Sequence, residues 1–192
     1  MAWGKASNTT ASGSTKITSS DTSDSETLQI LSHANVASEM DNMGWTLNSD
    51  TGTNQYGYRA SVNGGTDSAT TNSYMRFGGG ASAGHDLFIV SYVVNLPTRE
   101  KLFINDVNRN KNTGSPAPEA FEMVGKWINT STASTSVQLR HEGSSNWSTS
   151  TDLTVIGSDL TPSGIKVIEG TIYYDTDLNK EYVLHNGAWT EL

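Results

Sequence analysis

Apolar residues in this chain are gathered into short runs, and each run ends at a cluster of glycine, asparagine, serine or threonine. Such clusters favour turns, because these residues tolerate positive φ or bond their own backbone. Within the runs, as at Tyr56–Val62 and Phe121–Ile128, apolar residues alternate with polar ones, which is the period of a strand. The spacing predicts about nine short strands and no convincing amphipathic helix. We therefore expect an all-β chain folded as an antiparallel β-sandwich or jelly roll.

The run Leu87–Leu96 is the most apolar segment of the sequence. Its β-branched and aromatic character predicts a central strand that is buried on both faces. Trp45 and Trp127 also lie within predicted strands, and a large aromatic side chain in a strand contributes strongly to a core. We therefore expect Trp127 and Leu87–Leu96 to share one core.

Three segments of different composition divide the chain. Residues 1–24 are polar and rich in serine, threonine and aspartate, which predicts an N-terminal arm with one edge strand at Thr15–Ser19. Residues 25–160 hold the predicted sandwich, and Thr161–Gly164 is typical of a domain boundary. Residues 161–192 contain strand, polar turn, strand, Asn-Gly turn and strand, which predicts a small C-terminal β-hairpin module. A hairpin of this size cannot bury enough surface alone, so we expect a neighbour to cover it.

Composition restricts the classes of partner. The chain has 192 residues, enough for one sizeable core, and carries a net charge of -8. Because phosphate contacts require a basic face, nucleic acid is not an expected partner. The absence of cysteine excludes disulfides and thiolate metal sites. The start of the sequence has no apolar export signal, and no run reaches membrane-spanning length. We therefore expect a protein made in a cytoplasm, with no membrane partner.

Two patterns match catalytic motifs, and both are weak. Gly80–Gly84 matches Gly-x-Ser-x-Gly, with Ser82 at the nucleophile position. A nucleophile elbow requires a strand before the serine and a helix after it, whereas glycines precede Ser82 and the run at Leu87 follows it. Glu119 and Glu122 could form a glycosidase pair, but residues three apart on a strand point to opposite sides. We therefore expect no catalytic residue and no enzyme activity.

Metal and cofactor sites are likewise not expected. The four histidines are scattered along the sequence, and none stands four residues from another. Asp21, Asp24 and Glu26 offer oxygen ligands of the kind that calcium prefers, but they lack the Asp-x-Asp-x-Asp-Gly pattern of a calcium loop. The sequence therefore predicts neither a metal site nor a bound cofactor, with calcium near these three residues as the alternative.

Several short motifs resemble a β-sandwich module that recurs in structural proteins of tailed bacteriophages. That module couples an EKLFI strand to a VGKW-NTS strand and closes on an L-V-G strand; here the pieces stand as Glu100–Ile104, Val124–Ser131 and Leu153–Gly157. Gly170–Thr190 resembles the small hairpins common near the C-termini of phage fibre and other virion proteins. The resemblance implies a non-enzymatic structural protein on the exterior of the virion, with capsid decoration or cement as the expected function. The alternative that it implies is a tail-fibre or receptor-binding component that recognises carbohydrate on the host surface.

Aromatic side chains outside the predicted core are the candidates for contacts with partners. Neither a polar arm nor a small hairpin can bury large aromatics alone, so we expect contacts between chains at Trp3, Tyr173, Tyr174, Tyr182 and Trp189. The expected assembly is a homo-oligomer, with a cyclic trimer as the simplest closed form. The other expected partners are virion proteins, namely the major capsid protein or tail components.

Trp147 follows a polar turn and is the candidate for a sugar contact. An exposed aromatic ring in a loop offers an apolar face on which a sugar ring can stack. Local packing of the indole against the sandwich is the alternative.

Overall fold

The structure is a computed structural model of the chain, and all statements below concern the residues it describes. These are residues 3–11, 13–20, 22, 25–39, 41–77, 81–110, 117–143, 145–159, 170, 172–175, 180–185 and 188–192. Strands account for 64% of the described residues, and none of these residues lies in a helix. The chain forms two compact units, one of Trp3–Leu160 and one within Thr161–Leu192. The prediction of an all-β, antiparallel fold is confirmed.

The described residues of the larger unit form twelve strands. In chain order they are β1 (Trp3–Thr10), β2 (Lys16–Ser20), β3 (Ser25–Asn35), β4 (Asp41–Leu47), β5 (Tyr56–Val62), β6 (Ser68–Asn72), β7 (Met75–Arg76), β8 (Asp86–Val94), β9 (Lys101–Asn110), β10 (Glu119–Trp127), β11 (Ser136–Glu142) and β12 (Asp152–Asp159). Eight of them form a large sheet in the order β1-β12-β3-β8-β9-β10-β5-β6, and four form a small sheet in the order β2-β11-β4-β7. Every neighbouring pair is antiparallel.

The two sheets pack face to face around one hydrophobic core. Trp45 on β4 and Leu139 on β11 enter this core from the small sheet, while Ile89 on β8 and Phe103 on β9 enter it from the large sheet. Trp45 Nε1 donates a hydrogen bond of 2.9 Å to Ser91 Oγ, which links β4 to β8 across the sandwich. Alternation of side chains along each strand explains the arrangement, because every second residue faces the opposite sheet.

Trp127 lies in the same core, 1% exposed, together with the inward-facing residues of β8. Its ring stacks on that of Tyr56 with the centroids 6.3 Å apart. The prediction that Trp127 and the most apolar strand share one core is therefore confirmed.

The first 24 residues differ from the arm that composition predicts. β1 pairs with β12 at one edge of the large sheet, and β2 pairs with β11 at one edge of the small sheet. Ala11 and Ile17 are buried in the core. β2 therefore lies where the sequence predicts an edge strand, at Thr15–Ser19. The polar composition concealed β1, because it is an edge strand with a neighbour on one side only, and serine and threonine are tolerated well on such a half-exposed surface.

β8 also differs from its prediction, because it is buried on one face and not on both. Leu87, Ile89 and Val93 are at most 1% exposed, whereas Phe88 and Tyr92 are 54% and 43% exposed. The small sheet lies against only one face of the large sheet. The continuous apolar sequence therefore reflects two apolar faces of which only the inner one is covered within the larger unit.

The smaller unit contains the C-terminal hairpin that the sequence predicts. Its strands β13 (Ile172–Asp175), β14 (Lys180–His185) and β15 (Ala188–Glu191) form a three-stranded antiparallel sheet. Lys180 Nζ and Glu191 Oε2 form an ion pair at 2.8 Å. Four large apolar residues of this unit are exposed, namely Ile172, Tyr174, Trp189 and Leu192.

Candidate interaction surface

The face of the large sheet that points away from the small sheet carries a cluster of apolar side chains. Five of them lie on the adjacent strands β8, β9 and β10, and they are between 38% and 56% exposed. These five residues are called the outer apolar patch: Tyr92, Val94, Leu102, Ile104 and Val124. Contiguous apolar surface of this kind is often a site of interaction.

Strand register brings the patch residues together. Tyr92 lies directly opposite Ile104, and Ile104 lies directly opposite Val124. Directly opposite residues have Cβ atoms about 4.5–5.5 Å apart, so these three side chains form a continuous row across three strands. Leu102 and Val94 lie two residues away from this row on the same face, which makes the patch one surface and not a set of isolated residues.

A depression of about 670 Å³ lies over the patch. All five patch residues line it, together with Gly57 on β5. Gly57 faces outward into open space, because a Cβ at this position would meet only Thr71 Cγ2, at 4.0 Å. The absence of a side chain at Gly57 therefore contributes to the depression, and the apolar lining favours an apolar occupant.

Two basic residues border the patch, and each is already paired. Lys126 Nζ lies 2.8 Å from Glu100 Oε2, and Arg59 Nη1 lies 3.5 Å from Asp67 Oδ2. The side chains of all four residues are at least 39% exposed, so each pair contributes little to the stability of the fold. Their effect on this surface is to place a rim of charge around an apolar centre.

Two acidic residues border the patch on its other side. Asp106 on β9 and Glu122 on β10 lie directly opposite each other on the outer face, and both are exposed. In the part of the chain that the structure describes, neither carboxylate forms a salt bridge. Like charges in directly opposite positions repel each other, so this end of the surface favours a cation from outside the chain.

Two of the motifs that resemble phage virion proteins, Glu100–Ile104 and Val124–Ser131, lie side by side on β9 and β10 at one end of the patch, whereas Leu153–Gly157 lies on β12, beyond β3 and β8. Lys101 is opposite Trp127 in the register of β9 and β10. The buried Lys101 Nζ lies 5.4 Å from the centre of the Trp127 ring and donates to the backbone carbonyls of Arg99 and Asn129, each at 2.9 Å. Burial lowers the pKa of Lys101. Because Trp127 Nε1 also donates to Asp50 Oδ2 at 2.7 Å, these motif residues close one end of the sandwich, which is a structural role.

The burial of Trp147 contradicts the exposed ring that a sugar contact requires. Its side chain is 1% exposed and packs edge-on against His141, with ring centroids 5.3 Å apart. A β-bridge between Val36 and Trp147 draws the loop onto the sandwich. A buried indole offers no face to a sugar ring, so the alternative of local packing holds.

The residues predicted to contact other chains fall in both units. Trp3 begins β1 opposite Ser158, and its side chain lies outside the description, as does that of Tyr173. Tyr182 lies opposite Tyr173 in the register of β14 and β13, and Tyr174 and Trp189 are 48% and 44% exposed. The contacts of these five aromatic residues with other chains stay predictions.

The serine of the Gly-x-Ser-x-Gly match lies in a turn. His85 Nδ1 accepts a hydrogen bond of 3.2 Å from the backbone nitrogen of Ser82, and β8 begins directly afterwards at Asp86. A nucleophile elbow has a helix at this point. The surroundings of Ser82 are therefore those of a connection between strands.

Among the described residues, no group of three or more histidine, cysteine, aspartate or glutamate residues could hold a metal ion. Asp21 and Asp24, which the calcium alternative requires, lie outside the described residues. In that same part of the chain, no helix has the length and apolar character needed to cross a membrane.

No protein-family model matches the chain, and no curated protein is significantly similar to it in sequence. The function therefore has to be inferred from the surfaces of the molecule.

Sequence reasoning missed the outer apolar patch, although a signal for it was present. Leu102, Phe103 and Ile104 are consecutive apolar residues. Because successive side chains of a strand point to opposite faces, a strand with consecutive apolar residues has two apolar faces. The same signal in Leu87–Leu96 predicts burial on both faces, and only the inner face of β8 is buried. The sequence of one strand does not say whether a second layer exists on each side.

Proposed function

We propose that the protein is a non-enzymatic structural component on the exterior of a tailed-phage particle, and that it decorates or cements the capsid as a homo-oligomer. The observation that carries this proposal is the exposed apolar surface on both units. It comprises the outer apolar patch on the sandwich and Ile172, Tyr174, Trp189 and Leu192 on the C-terminal sheet. A protein that works in an assembly, where neighbours cover its surfaces, is expected to expose such residues when alone.

The roles of the motif residues support a structural protein over an enzyme. Lys101, Trp127 and Asn129 hold strands and loops together through the contacts described above. Catalytic groups instead converge on a cleft with perturbed titration and a position for substrate. The motifs that carry the resemblance thus have a physical explanation that requires no reaction.

The charge of the chain supports a location outside the capsid shell. A net charge of -8 repels the phosphates of the DNA that fills a phage head. The same charge is compatible with the outer surface of the shell, where it keeps particles apart in solution.

The experiment that tests the proposal is to locate the chain on intact particles. Particles are purified from a lysate of the phage whose genome encodes the chain, analysed by mass spectrometry, and labelled with a gold-conjugated antibody against the sandwich. We expect the chain to be present at high copy number and the label to surround the head of unopened particles. Absence of the chain from purified particles, or labelling only after the heads are opened, would contradict the proposal.

A tail-fibre or receptor-binding component is the second candidate, and the C-terminal unit is the observation that favours it. A short three-stranded sheet with exposed Ile172 and Trp189 resembles the terminal hairpins of fibre proteins. The same labelling experiment separates the candidates, because gold confined to the tail favours the fibre and gold around the head favours decoration. Trp147 was the residue expected to contact a carbohydrate ligand, and its burial leaves this candidate function without a sugar-binding residue.

A further inference from the structure

We propose that the outer apolar patch is a contact between two copies of this chain, related by a two-fold axis that passes through Val124. This inference concerns the sandwich alone, and it does not depend on the location of the protein on a virion. It rests on the exposed apolar centre, on the charges at its two ends and on the positions of these charges along β10.

The outward side chains of β10 are arranged symmetrically about Val124. Glu122, Val124 and Lys126 point to the outer face in succession, and all three are exposed. Two residues along a strand span about 6.5–7 Å, so the acidic and basic groups lie at equal distances on either side of the valine. If a second copy lies face to face with its β10 antiparallel to the first, Lys126 of each copy lies over Glu122 of the other.

The second copy supplies the cation that the acidic end of the surface lacks. Asp106 is the cross-strand neighbour of Glu122, and a lysine placed over this pair contacts both carboxylates. The two-fold axis forms this contact twice, once at each end of the patch. Lys126 is held in the free chain by Glu100 at 2.8 Å, and in the pair of copies it bridges Glu100 of its own chain and the acidic pair of the other.

The centre of the proposed contact is apolar. Ile104 and Val124 are cross-strand neighbours next to the axis, 56% and 53% exposed, and Tyr92 continues the same row. An apolar core with a charged rim is the usual composition of a protein interface. Face-to-face sheets pack about 10 Å apart, which brings these side chains of the two copies into contact. Because the patch is used by both copies, the contact is isologous and closed.

The first experiment measures the mass of the full chain by sedimentation equilibrium over a range of concentrations. We expect an even number of chains of 20.6 kDa each, two if the two-fold contact acts alone and six if it pairs two of the expected trimers. We expect Ile104→Lys to halve that number. The matched control is Val62→Lys, because Val62 is 45% exposed on the opposite face of the same sheet. The control is expected to keep the mass of the parent protein, and circular dichroism establishes that both variants are folded.

The second experiment tests the two-fold geometry by reversing charges. Lys126→Glu places four carboxylates together at each end of the contact: those at position 126 and Glu100 of one copy, and those of Glu122 and Asp106 of the other. Glu122→Lys leaves Lys126 of each copy facing a lysine. Each variant alone is expected to dissociate with a Kd raised at least about tenfold. An equimolar mixture of the two variants is expected to recover association, because every glutamate at position 126 then faces a lysine at position 122.

Three results would overturn the inference. The first is a parent protein that stays monomeric at about 100 μM, which is about 100 times the Kd of a micromolar contact. A different occupant of the patch, such as another protein or an apolar ligand, would then have to be sought. The second is an assembly whose mass Ile104→Lys does not change. The third is a mixture of the two charge variants that stays dissociated, which would exclude the two-fold arrangement through Val124. Failure of the particle-labelling experiment leaves all three results unaffected.

Discussion

The two faces of the large sheet are built from the same strands and have different environments. Along β10, Phe121, Met123 and Trp127 point inward and are at most 5% exposed, while Val124 between them points outward and is 53% exposed. Both sets are apolar. The inner set is stabilised within the chain by the small sheet, whereas the outer set requires a neighbour to be covered.

The two faces therefore reflect two different requirements on one sequence, namely stability of the fold and association with a neighbour. Apolar residues on the inner face stabilise the fold, because their burial is part of folding. Apolar residues on the outer face gain less from folding, because between 38% and 56% of their surface stays exposed, and their presence indicates a second event, association, that removes the rest from water. The predictions below therefore compare an inner residue with an outer one wherever the chain offers such a pair.

The largest expected effect is on Trp127 of the inner face. Trp127→Ala removes a buried indole, its stacking on Tyr56 and its hydrogen bond to Asp50, and is expected to lower the free energy of unfolding by about 3–5 kcal/mol. The outer control Val124→Ala is expected to change it by less than about 0.5 kcal/mol. Urea unfolding at low protein concentration measures both. Equal effects of the two substitutions would show that the faces do not differ.

The confirmed and corrected predictions differ in the kind of information they required. The strand period of Phe121–Ile128 and the aromatic Trp127 were sufficient to predict an antiparallel sandwich with this tryptophan in its core. The edge strand predicted at Thr15–Ser19 corresponds to β2, whereas the edge strand β1 was missed, because its pairing with β12 is decided by distant segments and polar residues do not disclose it. For Trp147 the sequence left sugar contact and local packing both open, because the loop is fixed by a bridge to the distant Val36.

The patch could have been predicted in part. β8 and β9 both contain consecutive apolar residues, which indicates that each strand has two apolar faces. Which face is covered depends on where a second layer packs, and here the four-stranded sheet packs on the inner face of the eight-stranded sheet. The position of the second sheet follows from the topology of the whole chain and not from any one strand.

The next effect in size concerns two glycines with opposite orientation. Gly125 faces inward, and a Cβ there would lie 2.8 Å from Gly57 O and 2.8 Å from Tyr58 Cβ. Gly125→Ala is therefore expected to cost about 1–3 kcal/mol, as overpacking of a core does. Gly57 faces outward into open space, so Gly57→Ala is expected to be nearly neutral. A thermal melt of each variant checks the pair, and a tolerated Gly125→Ala would mean that the inner face is looser than described.

The third prediction uses pH to probe the interior. Burial raises the pKa of Tyr56 and of Tyr74 from the usual value of 10.0. Between pH 10 and the raised pKa the folded state therefore holds more protons than the unfolded state, and the free energy of unfolding falls as the pH rises. The expected loss is about 1.4 kcal/mol per pH unit for each tyrosine.

Unfolding by urea at pH 9, 10 and 11 measures this loss, and the absorbance of tyrosinate reports when the side chains ionise. The variant Tyr56→Phe is less stable at neutral pH because it loses the hydrogen bond to Leu47 N, yet its stability is expected to fall less steeply above pH 10. A parent protein of constant stability up to pH 12 would contradict the burial of these two tyrosines.

The smallest expected effect on folding is that of Lys126 on the outer face. Its ion pair with Glu100 joins side chains that are 45% and 39% exposed, and solvent screens such pairs, so Lys126→Ala is expected to change the free energy of unfolding by only about 0–1 kcal/mol at low protein concentration. At concentrations where copies associate, the same substitution is expected to weaken association, because it removes both cations that the proposed contact places over Glu122. Melting temperature as a function of concentration separates the two effects, since only association makes it depend on concentration. A Lys126→Ala variant that loses more than about 2 kcal/mol when dilute would assign this lysine to folding, and the distinction between the inner and outer faces would then no longer hold at this position.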